Sequence, residues 1–275
     1  MEVFKDKVQI TNNIELGGNK LVLFAGPCAA ESFDICMETG TAVKKICEDL
    51  GIGYVFKSSF DKANRTSSGS YRGPSVDSGL EILRRVKKEL NVPIVTDVHE
   101  SGQCEEVASV VDVLQIPAFL CRQTDLLIAA GKTGKPVKIK KGQFMAPEDM
   151  KFAVEKVRGQ GNNKVFLTER GSSFGYHNLI VDYRSLPIMR QYTPVVFDVT
   201  HSVQRPGGLN GTSGGDRQYT GLLARAAAAA GVDGFFIETH PNPEKALSDG
   251  PNMIPLKEMR SFVEKIKQYW DLNKS

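Results

Sequence analysis

LVLFAGPCAAES, residues 21–32, is an apolar run of strand type that passes through a glycine into a loop carrying a cysteine. Directly after it, residues 33–50 have helical spacing. The same unit recurs down the chain. GYVFKSS (53–59), PIVTDVH (93–99), VDVLQIP (111–117), PVKIKK (136–141), KVFLTERG (164–171), PVVFDVTH (194–201) and DGFFIETH (233–240) read as strands. Helix-spaced stretches follow them at 77–90, 102–110, 122–131, 148–158, 182–191, 218–231 and 257–271. Near-continuous apolar strands alternating with amphipathic helices predict a parallel sheet covered by helices. Eight units fit a (β/α)8 TIM barrel better than a doubly wound sheet, which usually has fewer strands. The 275 residues suit one barrel domain over 1–275. Within it, residues 1–20 are expected to form a hairpin around Asn12-Asn13 that caps the lower end of the barrel.

Composition narrows the function classes. A net charge of +3, with no block of basic residues, gives no reason to expect a nucleic-acid partner. No apolar run reaches the roughly 20 residues that span a bilayer, and MEVFKDKVQITNN has no apolar segment of signal-peptide type. The expectation is a cytoplasmic protein without a membrane partner. Five cysteines, at 28, 36, 47, 104 and 121, are an odd number with no C-x-x-C pair. They argue against a disulfide framework and for a reducing compartment.

In a barrel, chemistry sits where strands end and the following loops begin. Those ends carry Cys28, Lys57, Asp97 with His99, Gln115, Lys140, Arg170, His201 and Glu238. Polar groups on apolar strands are costly without partners, and eight converging on one rim imply a site. Two sets emerge. Lys57, Lys62, Lys140 and Arg170, with Arg65 and Arg72 in the loop KANRTSSGSYRGP, repel one another unless an anion neutralises them, which suits phosphates and carboxylates. Cys28, His201, Glu238 and Asp249 form a mixed sulfur, nitrogen and oxygen set of the kind that binds Zn²⁺, Fe²⁺ or Mn²⁺. Each also has an ordinary structural reading: a small core thiol, a hydrogen-bonded loop histidine, a turn aspartate in LSDGP.

Taken together, AGPCAAES, VFKSSFDKANRTS, SYRGP, TDVHE, QIPAFLCRQTDLL, KKGQF, ERGSSFGY, FDVTHSVQ and ETHPNPEKALSDGP resemble the 3-deoxy-D-manno-octulosonate 8-phosphate synthases over nearly the whole chain and in order. The resemblance implies a homotetrameric barrel that condenses phosphoenolpyruvate with D-arabinose 5-phosphate and releases phosphate, a step toward the sugar that joins lipid A to the rest of lipopolysaccharide. Cys28 in AGPC resembles the metal-dependent class, whose metal-independent relatives have Asn there. A divalent ion on Cys28, His201, Glu238 and Asp249 is therefore implied. By the same resemblance Lys57, Lys62, Lys140, Gln143 and Arg170 would bind phosphoenolpyruvate. Asn64, Arg65 and Ser67 would hold the pentose phosphate, with Asp97, His99 and Gln115 lining its channel and Phe119 near an adjoining subunit. His201, Lys140, Asp249 and Asn64 are the candidate catalytic residues.

The neighbouring reading is 3-deoxy-arabino-heptulosonate 7-phosphate synthase, which uses erythrose 4-phosphate; it tends to have KPRTS where this chain has KANRTS. A phosphosugar-binding barrel without activity is the alternative from another class. The glycine-rich HSVQRPGGLNGTSGGDRQ, 201–218, reads either as a lid over the site or as a plain loop.

Overall fold

Eight short strands, nearly every residue of them buried, line up in parallel and close on themselves. The structure, a computed structural model, describes residues 7–63, 71–73, 76–209 and 212–273. The barrel strands are β1 (Val22–Gly26), β2 (Gly53–Lys57), β3 (Ile94–Asp97), β4 (Val113–Ile116), β5 (Val137–Lys140), β6 (Val165–Glu169), β7 (Val195–Asp198) and β8 (Gly234–His240). Each pairs with the next, and closure comes from β7 on β8 and β8 on β1, with Phe197 opposite Phe235 and Phe24 opposite Phe236. The helices are α1 (Phe33–Leu50), α2 (Val76–Leu90), α3 (Cys104–Val110), α4 (Thr124–Lys132), α5 (Met150–Arg158), α6 (Ser185–Met189), α7 (Thr220–Ala230) and α8 (Met259–Leu272). Each of the eight units read from the sequence is present.

Strand alternation divides the interior into two cores. Outward residues such as Leu23, Phe56, Ile94, Leu114, Ile139, Leu167, Phe197 and Ile237 pack under the helices. Inward residues Val22, Phe24, Val55, Val95, Val113, Phe166, Val196 and Phe236 form a separate cluster inside the barrel. Two residues further along the same inward face stand Lys57, Asp97, Gln115, Thr168, Asp198 and Glu238, all buried. The barrel is therefore filled with hydrocarbon below and with polar groups near the C-terminal rim. At Gly26 β1 presses against β2: a Cβ there would meet the Lys57 carbonyl oxygen at 2.1 Å.

The N-terminal hairpin pairs Val8–Thr11 with Ile14–Leu16 around Asn12-Asn13 and places Val8, Ile10 and Leu16 in the inner cluster. That is the expected hairpin. The 201–218 stretch differs from a plain loop, because Gln204–Leu209 and Thr212–Gly215 pair antiparallel after a 3-10 turn over His201–Val203. Positive-φ Gly207 (φ 68) sits in the first of these strands, where the glycine content permits the bulged register. A smaller hairpin, Ser172–Ser173 with Leu179–Ile180, follows β6. All five cysteines are free and buried. Among the described residues no helix is long and apolar enough to cross a membrane.

Candidate active site

A cavity of about 820 Å³ opens at the C-terminal rim, lined by Lys57, Lys62, Asp97, His99, Gln115, Phe119, Lys140, Gln143, Arg170, His201, Glu238 and Asp249 among others. Twelve side chains singled out from the sequence thus face one space. Cys28, fully buried, lies against it through Asp249. Asn64, Arg65 and Ser67 lie outside the described residues. Arg72 is corrected: it makes a two-pronged ion pair with Asp61, is largely exposed, and does not line the cavity.

The cations are held by buried carboxylates. Lys57 Nζ lies 2.7 Å from Glu238 Oε1 and donates to the Cys28 carbonyl at 3.3 Å. Lys62 Nζ is 4.0 Å from the same Glu238 oxygen. Lys140 Nζ lies 2.7 Å from Asp198 Oδ2. Burial opposes the charge of these acids, but Lys57 with His201 and Lys62 holds the Glu238 carboxyl well below the usual carboxylate range. His201 and Lys140 do the same for Asp198, and Lys57 with Lys62 for Asp97. Burial also works against the Lys62 ammonium, and the negative potential of Cys28 and Glu238 overrides it and raises its pKa.

Arg170 differs from the lysines. It is 4% exposed, and its Nη2 donates to Gln204 Oε1 at 2.7 Å. Among the described residues its buried Nε and Nη1 have no partner. Burial pulls its pKa below the ordinary arginine value, against Asp198, Glu169 and Asp249. A desolvated guanidinium with unmet donors beside a cavity calls for an anionic ligand. Glu169 shapes the turn that presents it, accepting from the Arg170 and Gly171 amides at 3.0 and 2.6 Å and from Ser185 Oγ at 2.7 Å. Gln143 Oε1 and His99 Nδ1, also on the cavity, are likewise buried without partners among the described residues.

Asp198 and Gln204 were missed in the sequence, although alternation from inward Val196 puts Asp198 on the cavity side. Asp198 accepts from the His201 amide at 3.0 Å and lies 3.0 Å from His201 Nδ1, which turns Nε2 toward Glu238 Oε2, 3.7 Å away. Gln204 donates to Asp249 Oδ1 at 3.4 Å while accepting from Arg170, and so joins the two polar sets.

The proposed metal donors meet in part. One atom each from Cys28, Glu238 and Asp249 lie within 4.8 Å of one another. His201 approaches Glu238 but falls outside that group of three. The Cys28 thiol donates to Asp249 Oδ2 at 3.3 Å and lies 3.0 Å from Ser248 Oγ. Burial, with Glu238 and Asp249, raises its pKa against Lys62 and Lys57. A thiol and two carboxylates clustered in one buried corner fit a divalent ion, whose binding would displace the thiol proton.

Comparison with known proteins finds relatives over nearly the whole chain. The model of the DAHP synthetase I family matches residues 6–275. A 2-dehydro-3-deoxyphosphooctonate aldolase of Nitratidesulfovibrio vulgaris is 57% identical over 251 residues, covering 91% of this chain and 92% of the relative. Proteins of the same name from a Cyanothece species and from Fusobacterium nucleatum are each 55% identical. The first covers 94% of this chain and 96% of the relative, the second 94% of each.

Proposed function

The chain belongs to the DAHP synthetase I family and within it to the 2-dehydro-3-deoxyphosphooctonate aldolases, and from that premise we infer that it condenses phosphoenolpyruvate with D-arabinose 5-phosphate and water. The products are 3-deoxy-D-manno-octulosonate 8-phosphate and inorganic phosphate, and the pathway is lipopolysaccharide precursor synthesis. The observation that carries the reading at the level of the site is Arg170, with two buried donors unmet in a cavity that also holds Lys57, Lys62 and Lys140. The erythrose 4-phosphate reading is not favoured, since the relatives carry the octonate name.

The reaction joins C3 of phosphoenolpyruvate to the aldehyde carbon, adds water at C2, and expels phosphate by breaking the C–O bond. Two anionic substrates must be held side by side, and the cations supply the potential that makes this favourable. Arg170 would take a carboxylate or phosphate oxygen, with Lys57, Lys62, Lys140 and Gln143 around it. Asn64, Arg65 and Ser67 would take the pentose phosphate, and Asp97, His99 and Gln115 its hydroxyls. His201, fixed through Nδ1 by Asp198, keeps Nε2 available for a proton on the Glu238 side. Lys140 Nζ lies 3.4 Å from His201 Nδ1. Cys28, Glu238 and Asp249, joined by His201, would hold a divalent ion such as Zn²⁺, Fe²⁺ or Mn²⁺. When bound, that ion supplies Lewis acidity toward the aldehyde oxygen or a bound water.

Self-association, as a homotetramer, and a cytoplasmic location complete the proposal. Self-association is supported by Phe119, Phe144, Phe174 and Tyr176, at 53%, 57%, 65% and 97% exposure, on the loops after β4, β5 and β6. The function is tested by mass analysis of the product formed from phosphoenolpyruvate with each aldose phosphate. An eight-carbon acid phosphate from the pentose is expected; a seven-carbon product formed faster from erythrose 4-phosphate would overturn it.

A further inference from the structure

Lys138 has no part in the chemistry above, yet it is fully buried. It lies on β5 two residues before Lys140, on the same inward face, and is not among the residues lining the cavity. Burial there works against its charge and pulls its pKa well below that of an ordinary lysine, with Lys140 adding to the shift. Lys57 and Lys140 meet carboxylates at 2.7 Å. Among the described residues Lys138 has no carboxylate partner. Its Nζ donates to Gln115 Oε1 at 2.6 Å and lies 4.4 Å from the centre of the Phe236 ring and 5.8 Å from that of Phe24.

An amide facing an ionised carboxylate has only one way round. The Asp97 carboxylate accepts and does not donate, so Gln115 must turn its NH2 toward Asp97, and its oxygen is left to accept from Lys138. That NH2 donates to Asp97 Oδ1, while Ser59 Oγ donates to Asp97 Oδ2. The flipped amide would set oxygen against carboxylate. Lys138, Gln115 and Asp97 therefore form a directional chain that runs from beneath the cavity to its wall, which both Gln115 and Asp97 line. Each Asp97 oxygen keeps a lone pair for a further donor. A polyhydroxy aldose brings such donors. Phosphoenolpyruvate, an anion without hydroxyl groups, has no use for a carboxylate. An Asp97 out of place is thus felt by the sugar and not by the enol phosphate.

We propose that Lys138 is a positioning residue for the aldose phosphate, acting through the Gln115 amide to hold Asp97 as a fixed acceptor of sugar hydroxyls. The proposal rests on the condensation inferred above. Its test is steady-state kinetics on Lys138→Met, Gln115→Leu and the double variant, with calorimetric titration of arabinose 5-phosphate alongside. Methionine fills similar volume without a donor and adapts to irregular buried space. Lys138→Met is expected to raise KM and Kd for arabinose 5-phosphate about tenfold, the scale of a hydrogen bond to a charged group, with KM for phosphoenolpyruvate unchanged. In the Gln115→Leu background the same change is expected to add nothing, because the chain is already cut. Should Lys138→Met fail to fold, Gln115→Glu replaces it: Lys138 keeps its partner, a carboxylate faces Asp97, and the same sugar-selective loss is expected. Unchanged sugar affinity, equal rises for both substrates, or multiplicative effects in the double variant would overturn the proposal. Wild-type protein that binds the sugar phosphate but forms no product would contradict the condensation instead, while the calorimetric comparison still decides the role of Lys138.

Discussion

Arg170 is where the residue scale is sharpest. Among the described residues its Nε and Nη1 are buried and unmet, while Nη2 is occupied by Gln204. Lysine would keep the charge but lose the planar spread of donors, so the two are not equivalent at this position. Arg170→Lys is predicted to raise KM for phosphoenolpyruvate by about 10- to 100-fold, with the sugar KM far less affected. Steady-state titration of each substrate checks it; equal change in both would show that Arg170 is structural. Arg170 was legible in ERGSSFGY, since it ends a strand run. Asp198 was not, because in FDVTHSVQ the histidine three residues on draws the chemical reading. Only the pairing of Asp198 with both Lys140 and His201, distant in sequence or orientation until the barrel closes, reveals its place. Lys138 escaped notice for a related reason: alternation gives its face, but not the depth or the Gln115 partner that define its environment. The metal corner was legible as a residue set and only partly as geometry, with His201 set apart from the group of three.

Among elements, period-two alternation decides what each strand contributes. The inward series Val55 and Lys57, Val95 and Asp97, Val113 and Gln115, Phe236 and Glu238 passes from hydrocarbon to polar group within one step of the pleat. That pattern made the eight strands and their rim readable from sequence. The Gln204–Gly215 hairpin was less so, because its glycines signal a loop while the pairing depends on antiparallel register with a bulge. The N-terminal hairpin closes the opposite end by burying Leu16 completely in the inner cluster. Leu16→Ala is predicted to cost about 2–5 kcal/mol of stability by opening a cavity there. Denaturant unfolding measures the loss, and substrate KM values should hold because the site is at the other rim. A loss below about 0.5 kcal/mol would mean that the hairpin does not seal the barrel.

For the whole molecule, ionisation sets the alkaline limit. Burial pushes the Cys36 and Cys47 thiols up to about 12, with Glu31 and Glu48 adding to the shift. A group whose folded pKa is raised stabilises the fold below its unfolded value, near 9, and loses that contribution as pH rises toward about 12. Tm is therefore predicted to fall between pH about 9 and 12, and to fall less in Cys36→Ala relative to its own value at neutral pH; an identical slope would remove the thiol from the account. The most direct measurement of the central claim is phosphate release from phosphoenolpyruvate, followed continuously with no aldose, with arabinose 5-phosphate and with erythrose 4-phosphate, then repeated after chelation and restoration of single divalent metals. The account predicts release that requires the pentose phosphate, is lost on chelation and returns with a metal. Equal release without any aldose, or faster release with erythrose 4-phosphate, would contradict it.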